Sequence, residues 1–135
     1  MSGQQALRAA LVETLRGDAA LTALIGPGRV HDGAPRATPA PFVDLGPMET
    51  QLLTGDPAEG ERHTLDLTVI SRTPARGETT AAVAAMRDAL AGLGAHLAGH
   101  RLVHVSDPVM RSERLRSGRG WRGRLRVTVV TEPAN

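Results

Sequence analysis

His63-Thr64-Leu65-Asp66-Leu67-Thr68-Val69 is the cleanest polar–apolar alternation in the chain. Successive side chains of a strand point to opposite faces, so Leu65, Leu67 and Val69 share one face and Thr64, Asp66 and Thr68 the other. Arg124 to Thr131 repeats the pattern, with Leu125, Val127 and Val129 set against Arg124, Arg126 and Thr128. Each strand thus has one apolar and one polar side, the signature of a sheet covered on a single face.

Helical signals flank these strands. Ser2 and Gln5 have capping-box spacing, and Leu7, Ala10, Leu11, Thr14 and Leu15 follow helical periodicity, predicting a helix that runs to about Arg16 and stops at Gly17. Asp18 caps a second, short helix carrying Leu21, Leu24 and Ile25, ended by Gly26-Pro27. Arg29 to Pro41 reads as a Pro- and Gly-punctuated connection anchored by Val30. Phe42 to Leu45 reads as a first short strand, and Met48 to Gly60 as a long acidic loop broken at Gly55, Asp56-Pro57 and Gly60. After a turn at Pro74 to Gly77, a third helix is predicted over about Glu78 to Leu93, with Val83, Met86, Leu90 and Leu93 as its stripe. Arg101 to Val105 is a third strand, its continuation past Pro108 to Met110 left open. The predicted order is α-α-β-β-α-β-β: an α+β single domain over residues 1–135, with a mostly antiparallel four-stranded sheet and helices packed on one face.

Composition narrows the function classes. The 135 residues include no Cys, Lys or Tyr, one Trp and one Phe. Without cysteine there is no disulfide framework and no thiol chemistry. The aromatic-poor core must be built from aliphatic side chains, and association is expected to add to a modest monomer stability. Nothing resembles a signal peptide or a membrane span, so a soluble protein made in the bacterial cytoplasm is expected, with no membrane partner. The basic residues are all Arg, and the net charge is only +2.

That charge is unevenly placed. Seven arginines (Arg111, Arg114, Arg116, Arg119, Arg122, Arg124 and Arg126) lie in one stretch with Glu113 as the only acid, giving it +6 and leaving −4 for the rest of the chain. A two-signed surface suits a subunit that meets copies of itself, because opposite patches pair across an interface. Three readings of the Arg segment are open. It is a solvated hairpin tip, an inter-subunit or partner surface with Trp121 as anchor, or a phosphate contact whose affinity would fall steeply with salt.

Catalytic constellations are weak. His96, His100 and His104 recur every four residues, but Gly94 and Gly99 interrupt any helix there and no Glu completes an H-E-x-x-H frame. Ser71, His63 and Asp66 lie near one another, yet strand alternation sends Asp66 across the sheet from His63. Gly26-Pro27-Gly28 and Gly118-Arg119-Gly120 lack phosphate-loop spacing. No catalytic residue, metal ligand or cofactor is assigned.

The segments Arg29 to Pro35, Pro41 to Gly46, Gly60 to Arg72, the helix Ala81 to Leu90 and the strand Arg124 to Val129 together resemble the tail-completion or tail-terminator proteins of long, non-contractile-tailed phages, prophages and gene transfer agents. The resemblance covers nearly the whole chain and rests on a pattern of short segments. It implies a structural role in a phage-like particle: a hexameric ring of identical copies that caps the tail tube, stops its polymerisation and meets the head–tail connector or stopper protein. It brings no active site with it. The Arg29 to Pro35 motif is read as a fold-defining turn.

Beside that resemblance, the acidic loop (Glu49, Asp56, Glu59, Glu61) and the basic segment (Arg111, Arg114, Arg116, Arg119, Trp121, Arg122) form the expected interface pair. Arginines lining the bore and touching passing DNA are an alternative within the same role. The competing function is a small nucleic-acid-binding protein using Arg111 to Arg126, and a hydrolase or metal enzyme built on the histidines comes third.

Overall fold

The computed structural model describes residues 2–134. Helix α1 (Gly3–Arg16) begins with both halves of the predicted capping box: Gln5 N–H donates to Ser2 Oγ at 3.1 Å, and Ser2 N–H to Gln5 Oε1 at 2.9 Å. Helix α2 (Ala19–Ile25) is capped by Asp18, whose carboxylate accepts from Leu21 N–H at 2.9 Å. The strands are β1 (Val30–His31), β2 (Phe42–Leu52), β3 (Glu61–Ile70), β4 (His100–Val105), β5 (Val109–Arg114) and β6 (Trp121–Pro133). Helix α3 (Arg76–Ala89) lies between β3 and β4 and continues into a 3-10 segment, Leu90–His96.

The sheet has six strands rather than four, in the order β1-β2-β3-β6-β4, with β5 also paired to β6. The observed order of elements is α-α-β-β-β-α-β-β-β. All pairings are antiparallel except β1 with β2.

Three local effects account for the extra strands. Val30 and His31 pair in parallel with Val43 and Asp44, a match between residues thirteen apart that no local pattern announces. Residues from Met48 to Leu52, read from sequence as loop, instead extend β2 against Glu61 to Leu65 after a register shift at Gly46-Pro47. Such a bulge puts extra residues in one strand and breaks the visible alternation without ending the pairing. At Asp107-Pro108 the opposite edge breaks, so β4 pairs with the C-terminal half of β6 and β5 with its N-terminal half.

The helices cover one sheet face. Leu65, Leu67 and Val69 of β3 and Leu125, Val127 and Val129 of β6 are buried in one cluster with Leu7, Leu11 and Leu15 of α1, Leu21 of α2, and Val83 and Met86 of α3. Val30 is buried there too, as its anchoring role requires. Gly123, on the same face of β6, is where α3 comes closest: a Cβ at that position would lie 2.5 Å from Val83 Cγ2 and 2.6 Å from Thr79 Cγ2.

Polar side chains are buried as well, among them Thr14, Thr79, Thr131 and a histidine. His63 is fully buried, its Nδ1 2.8 Å from Thr50 Oγ1 and its Nε2 2.9 Å from Thr131 Oγ1. Thr50 Oγ1 also accepts from Gln4 Nε2 at 2.9 Å, linking α1 to the same network. Burial lowers the pKa of the His63 imidazole, with His100 adding to the effect and Glu61 opposing it. The unfolded chain therefore takes up this proton near pH ~6.5, and the fold only at lower pH. Between those two points the unfolded state binds more protons. Stability is therefore full above the unfolded value, falls with pH through the window, and levels off once both states are charged. Denaturant unfolding between pH 7.5 and 5 should show this fall, no steeper than about 1.4 kcal/mol per pH unit for one proton. A His63→Gln variant should lose that part of the slope; an unchanged slope would assign it to other groups.

Candidate interaction surface

The sheet fixes where each charged residue goes. Along β6, Trp121, Gly123 and Leu125 face the helices, so Arg122, Arg124 and Arg126 face the open side. There they meet acids on neighbouring strands. Glu113 of β5 stands opposite Arg122, its Oε1 3.6 Å from both Arg122 Nη1 and Arg124 Nη2. Asp66 of β3 stands opposite Arg126, with Arg126 Nε donating to Oδ1 at 3.0 Å. Arg101 and Glu132 pair at the far end. Three of the seven arginines in what looks like a basic run are therefore interleaved with acids, which weakens its field as a phosphate-binding stripe.

The unmatched arginines lie at the β5–β6 turn. Residues 115–120 form a tight tip closed by Leu115 N–H to Gly120 O at 2.9 Å and Gly118 N–H to Leu115 O at 2.9 Å. Arg116 and Arg119 are exposed on it, and neither has an ion-pair partner among the described residues. Arg111 is exposed on β5 opposite Arg124.

Trp121 is buried, only 7% exposed, and its Nε1–H donates to Pro74 O at 2.9 Å. Arg76 and Arg114 cover the indole, their guanidinium carbons 4.2 and 5.1 Å from its ring centre. What this corner offers a partner is two guanidinium groups held in place by a packed ring, not an exposed indole.

The acids are also divided. Glu49 is exposed on the open face of β2 opposite Thr64. Asp56 and Glu59 are exposed at the β2–β3 hairpin tip, where Asp56 Oδ1 accepts from Ala58 N–H at 3.0 Å and a 3-10 turn spans Pro57–Glu59. Glu61 points the other way, its carboxylate lying against Gly3 at the first turn of α1, where the helix dipole favours a negative charge. The acidic tip follows the Glu61–Thr131 end of the β3–β6 ladder, and the Arg tip precedes its Ile70–Arg122 end. Ten paired residues set them about 30 Å apart.

The Arg29 to Pro35 motif holds the chain near the sheet edge. Asp44 Oδ1 accepts from Gly33 N–H and Ala34 N–H, both at 2.9 Å. Arg8 clamps Asp32 and also donates to Gly46 O at 3.1 Å, tying α1 to the bulge of β2. The histidines do not converge. His96 Nδ1 lies 3.4 Å from Glu13, His100 Nδ1 3.2 Å from Ala98 O, and His104 pairs with Val130 on the other sheet face. Among the described residues no group of three metal-ligating side chains comes together, and no helix is long and apolar enough to cross a membrane.

One surface has no counterpart in the sequence reading. The outer face of α3 and the edge strand β5 leave a groove of about 210 Å³ floored by Val83, Ala84 and Met110, with Arg87 and Arg111 alongside. The apolar pair Val109-Met110 ahead of Arg111 was its one local sign.

A family model described as tail completion protein gp17 matches residues 9–132. The chain belongs to this tail-completion family. Among solved structures, this tail-completion family member is similar to a chain of the virion of the native gene transfer agent particle, with 30% identity, a TM-score of 0.80 and coverage of 96% of each chain. No curated protein matches the sequence.

Proposed function

We propose that this chain is a structural assembly subunit of a phage-like tail. In this reading, copies close into a sixfold ring that ends the growth of the tail tube and joins it to the head connector. The observation that carries the reading is the family match over residues 9–132. The similar chain in a gene transfer agent virion supports it.

The charge layout supplies a mechanism. A ring uses heterologous contacts, in which one patch of a subunit meets a different patch of its neighbour. The acidic hairpin and the basic segment Arg111 to Arg126 lie on different strands of one rigid sheet, and the two tips sit at opposite ends of it. The tips cannot reach each other within a chain, but their strands can face a neighbour's. Complementary charge then fixes register and hastens encounter more than it adds affinity. Among the described residues, the acids that interleave with Arg122, Arg124 and Arg126 leave the nucleic-acid reading without a continuous basic groove.

Solution mass measurement together with electron microscopy of particles tests the reading. A six-subunit species is expected, and gene deletion should leave overlong tubes or heads and tails unjoined. A chain that stays a single subunit beside finished tails would overturn it. The Arg tip gives a sharper test. Arg116→Glu with Arg119→Glu should lower ring formation or tail docking on the order of tenfold, since each reversal replaces attraction by repulsion. Both side chains are exposed, so denaturant stability should stay within about 0.5 kcal/mol of the parent. Undiminished particle assembly by this pair would remove the tip from the mechanism.

A further inference from the structure

Two exposed apolar surfaces remain without a role. The first is the α3–β5 groove. Arg87 Nη1 approaches Met110 Sδ at 3.8 Å across it. Met110, which lines it, is 48% exposed, and its neighbour Val109, 65% exposed, faces the open side of the sheet opposite Arg126. Among the described residues no strand pairs with the outer edge of β5, and an unpaired edge carrying apolar side chains is a template for another chain. The second surface is the β2–β3 hairpin tip, where Leu52 and Leu53 are 43% and 39% exposed. Asp56 and Glu59 follow, and no basic residue occurs from Gln51 to Gly60.

We propose that the hairpin tip of one copy docks in the α3–β5 groove of the next, Leu52 and Leu53 against Met110 and Ala84, with Asp56 and Glu59 facing Arg87 and Arg111. This rests on the ring reading above and names its contact. Charge complementarity selects the occupant: the tip carries only acids and the groove is flanked by guanidinium groups. Among the described residues the carboxylate that Arg87 pairs with is its exposed neighbour Asp88, at 3.0 Å, a pair of the kind that contributes little and is readily exchanged.

Topology supplies the second argument. The β2–β3 hairpin stands toward one side of the sheet and β5 forms the opposite edge. One copy can therefore use both surfaces at once, one for each neighbour, as a closed heterologous ring demands. The contact also assigns separate tasks to the arginines. Arg87 and Arg111 meet the neighbouring copy, while Arg116 and Arg119 remain for the tube or the connector.

The absence of cysteine makes the test direct. A chain carrying Leu53→Cys and Met110→Cys, treated with oxidant or a short bis-maleimide, should give a covalent ladder on a non-reducing gel, and neither single variant should give more than a pair. A ring of unchanged mass that yields no ladder would overturn this contact and leave the ring standing. A parent chain that is a single subunit at every concentration would overturn both. Charge exchange provides an independent readout. Arg87→Glu with Arg111→Glu should weaken self-association at least about tenfold. Adding Asp56→Arg and Glu59→Arg in the same chain should recover it to within about threefold; no recovery, with the fold intact by circular dichroism, would also overturn the contact.

Discussion

Replacing Trp121 with Ala is expected to remove about 3–5 kcal/mol of folding stability, the range for truncating a large buried aromatic. The indole fills the corner where β6 begins, and two other features depend on it. Its Nε1–H satisfies Pro74 O, fixing the turn that leads into α3. The guanidinium groups of Arg76 from α3 and Arg114 from β5 lie over its ring, each contact contributing about 0.5–1 kcal/mol at an exposed site. The main-chain carbonyl of residue 121, kept on substitution, accepts from Ser71 N–H at 2.9 Å and extends the β3–β6 ladder past Ile70.

The conservative change separates these contributions. Trp121→Phe keeps most of the apolar volume and loses the donor to the exposed Pro74, removing one hydrogen bond worth about 0.5–1.5 kcal/mol. Denaturant unfolding of both variants, followed by circular dichroism because the intrinsic fluorophore is removed, gives the comparison. Equal losses for Phe and Ala would assign the whole effect to the hydrogen bond. A loss below about 1 kcal/mol for Ala would mean that the corner is not packed as described.

The second large effect is expected at Gly123, where the change is an addition. Gly123→Val would place two methyl groups and a Cβ between β6 and α3, in a space where Cβ alone meets Val83, Thr79 and, at 2.9 Å, Val69. Those three side chains come from a helix and a strand packed on each other, so relief requires α3 to lift. Overpacking of this kind costs about 1–3 kcal/mol and sometimes more. Gly123→Ala should fall at the low end of that range and Gly123→Val above it. The control is Gly77→Ala near the start of α3, where an added Cβ meets nothing within 4 Å. If Gly123→Val matched that control in melting temperature, the close approach of α3 to β6 would be disproved.

These two positions show what was legible in the sequence and what was not. The alternations at Leu65 to Val69 and Leu125 to Val129 named the buried face correctly, because strand periodicity depends only on which side faces the core. The Ser2–Gln5 box and the Asp18 cap were equally readable, since both are satisfied within one turn. Register was not readable. Met48 to Leu52 looks like loop because the Gly46-Pro47 bulge displaces the pattern, and only pairing to Glu61 to Leu65 reveals it as strand. Val30-His31 is a strand solely by virtue of its partner. The candidate surface suffered in the same way. Arg111 to Arg126 reads as one basic block along the chain, whereas the sheet sends its members to two faces and a tip, and supplies Asp66 from a strand sixty residues away. The α3–β5 groove joins residues about 25 apart, which no motif scan would combine.

The long β3–β6 pairing sets how the subunit bears load. Its inter-strand bonds lie across the strands, so tension drawn between the acidic hairpin and the Arg tip would run along β3 and β6 and act on all ten register pairs together. A load in shear is shared by every rung, whereas a load that peels strands apart breaks rungs one after another. Pulled from tip to tip, this sheet should behave as a stiff spacer rather than a zipper, keeping the distance between its neighbours constant under strain.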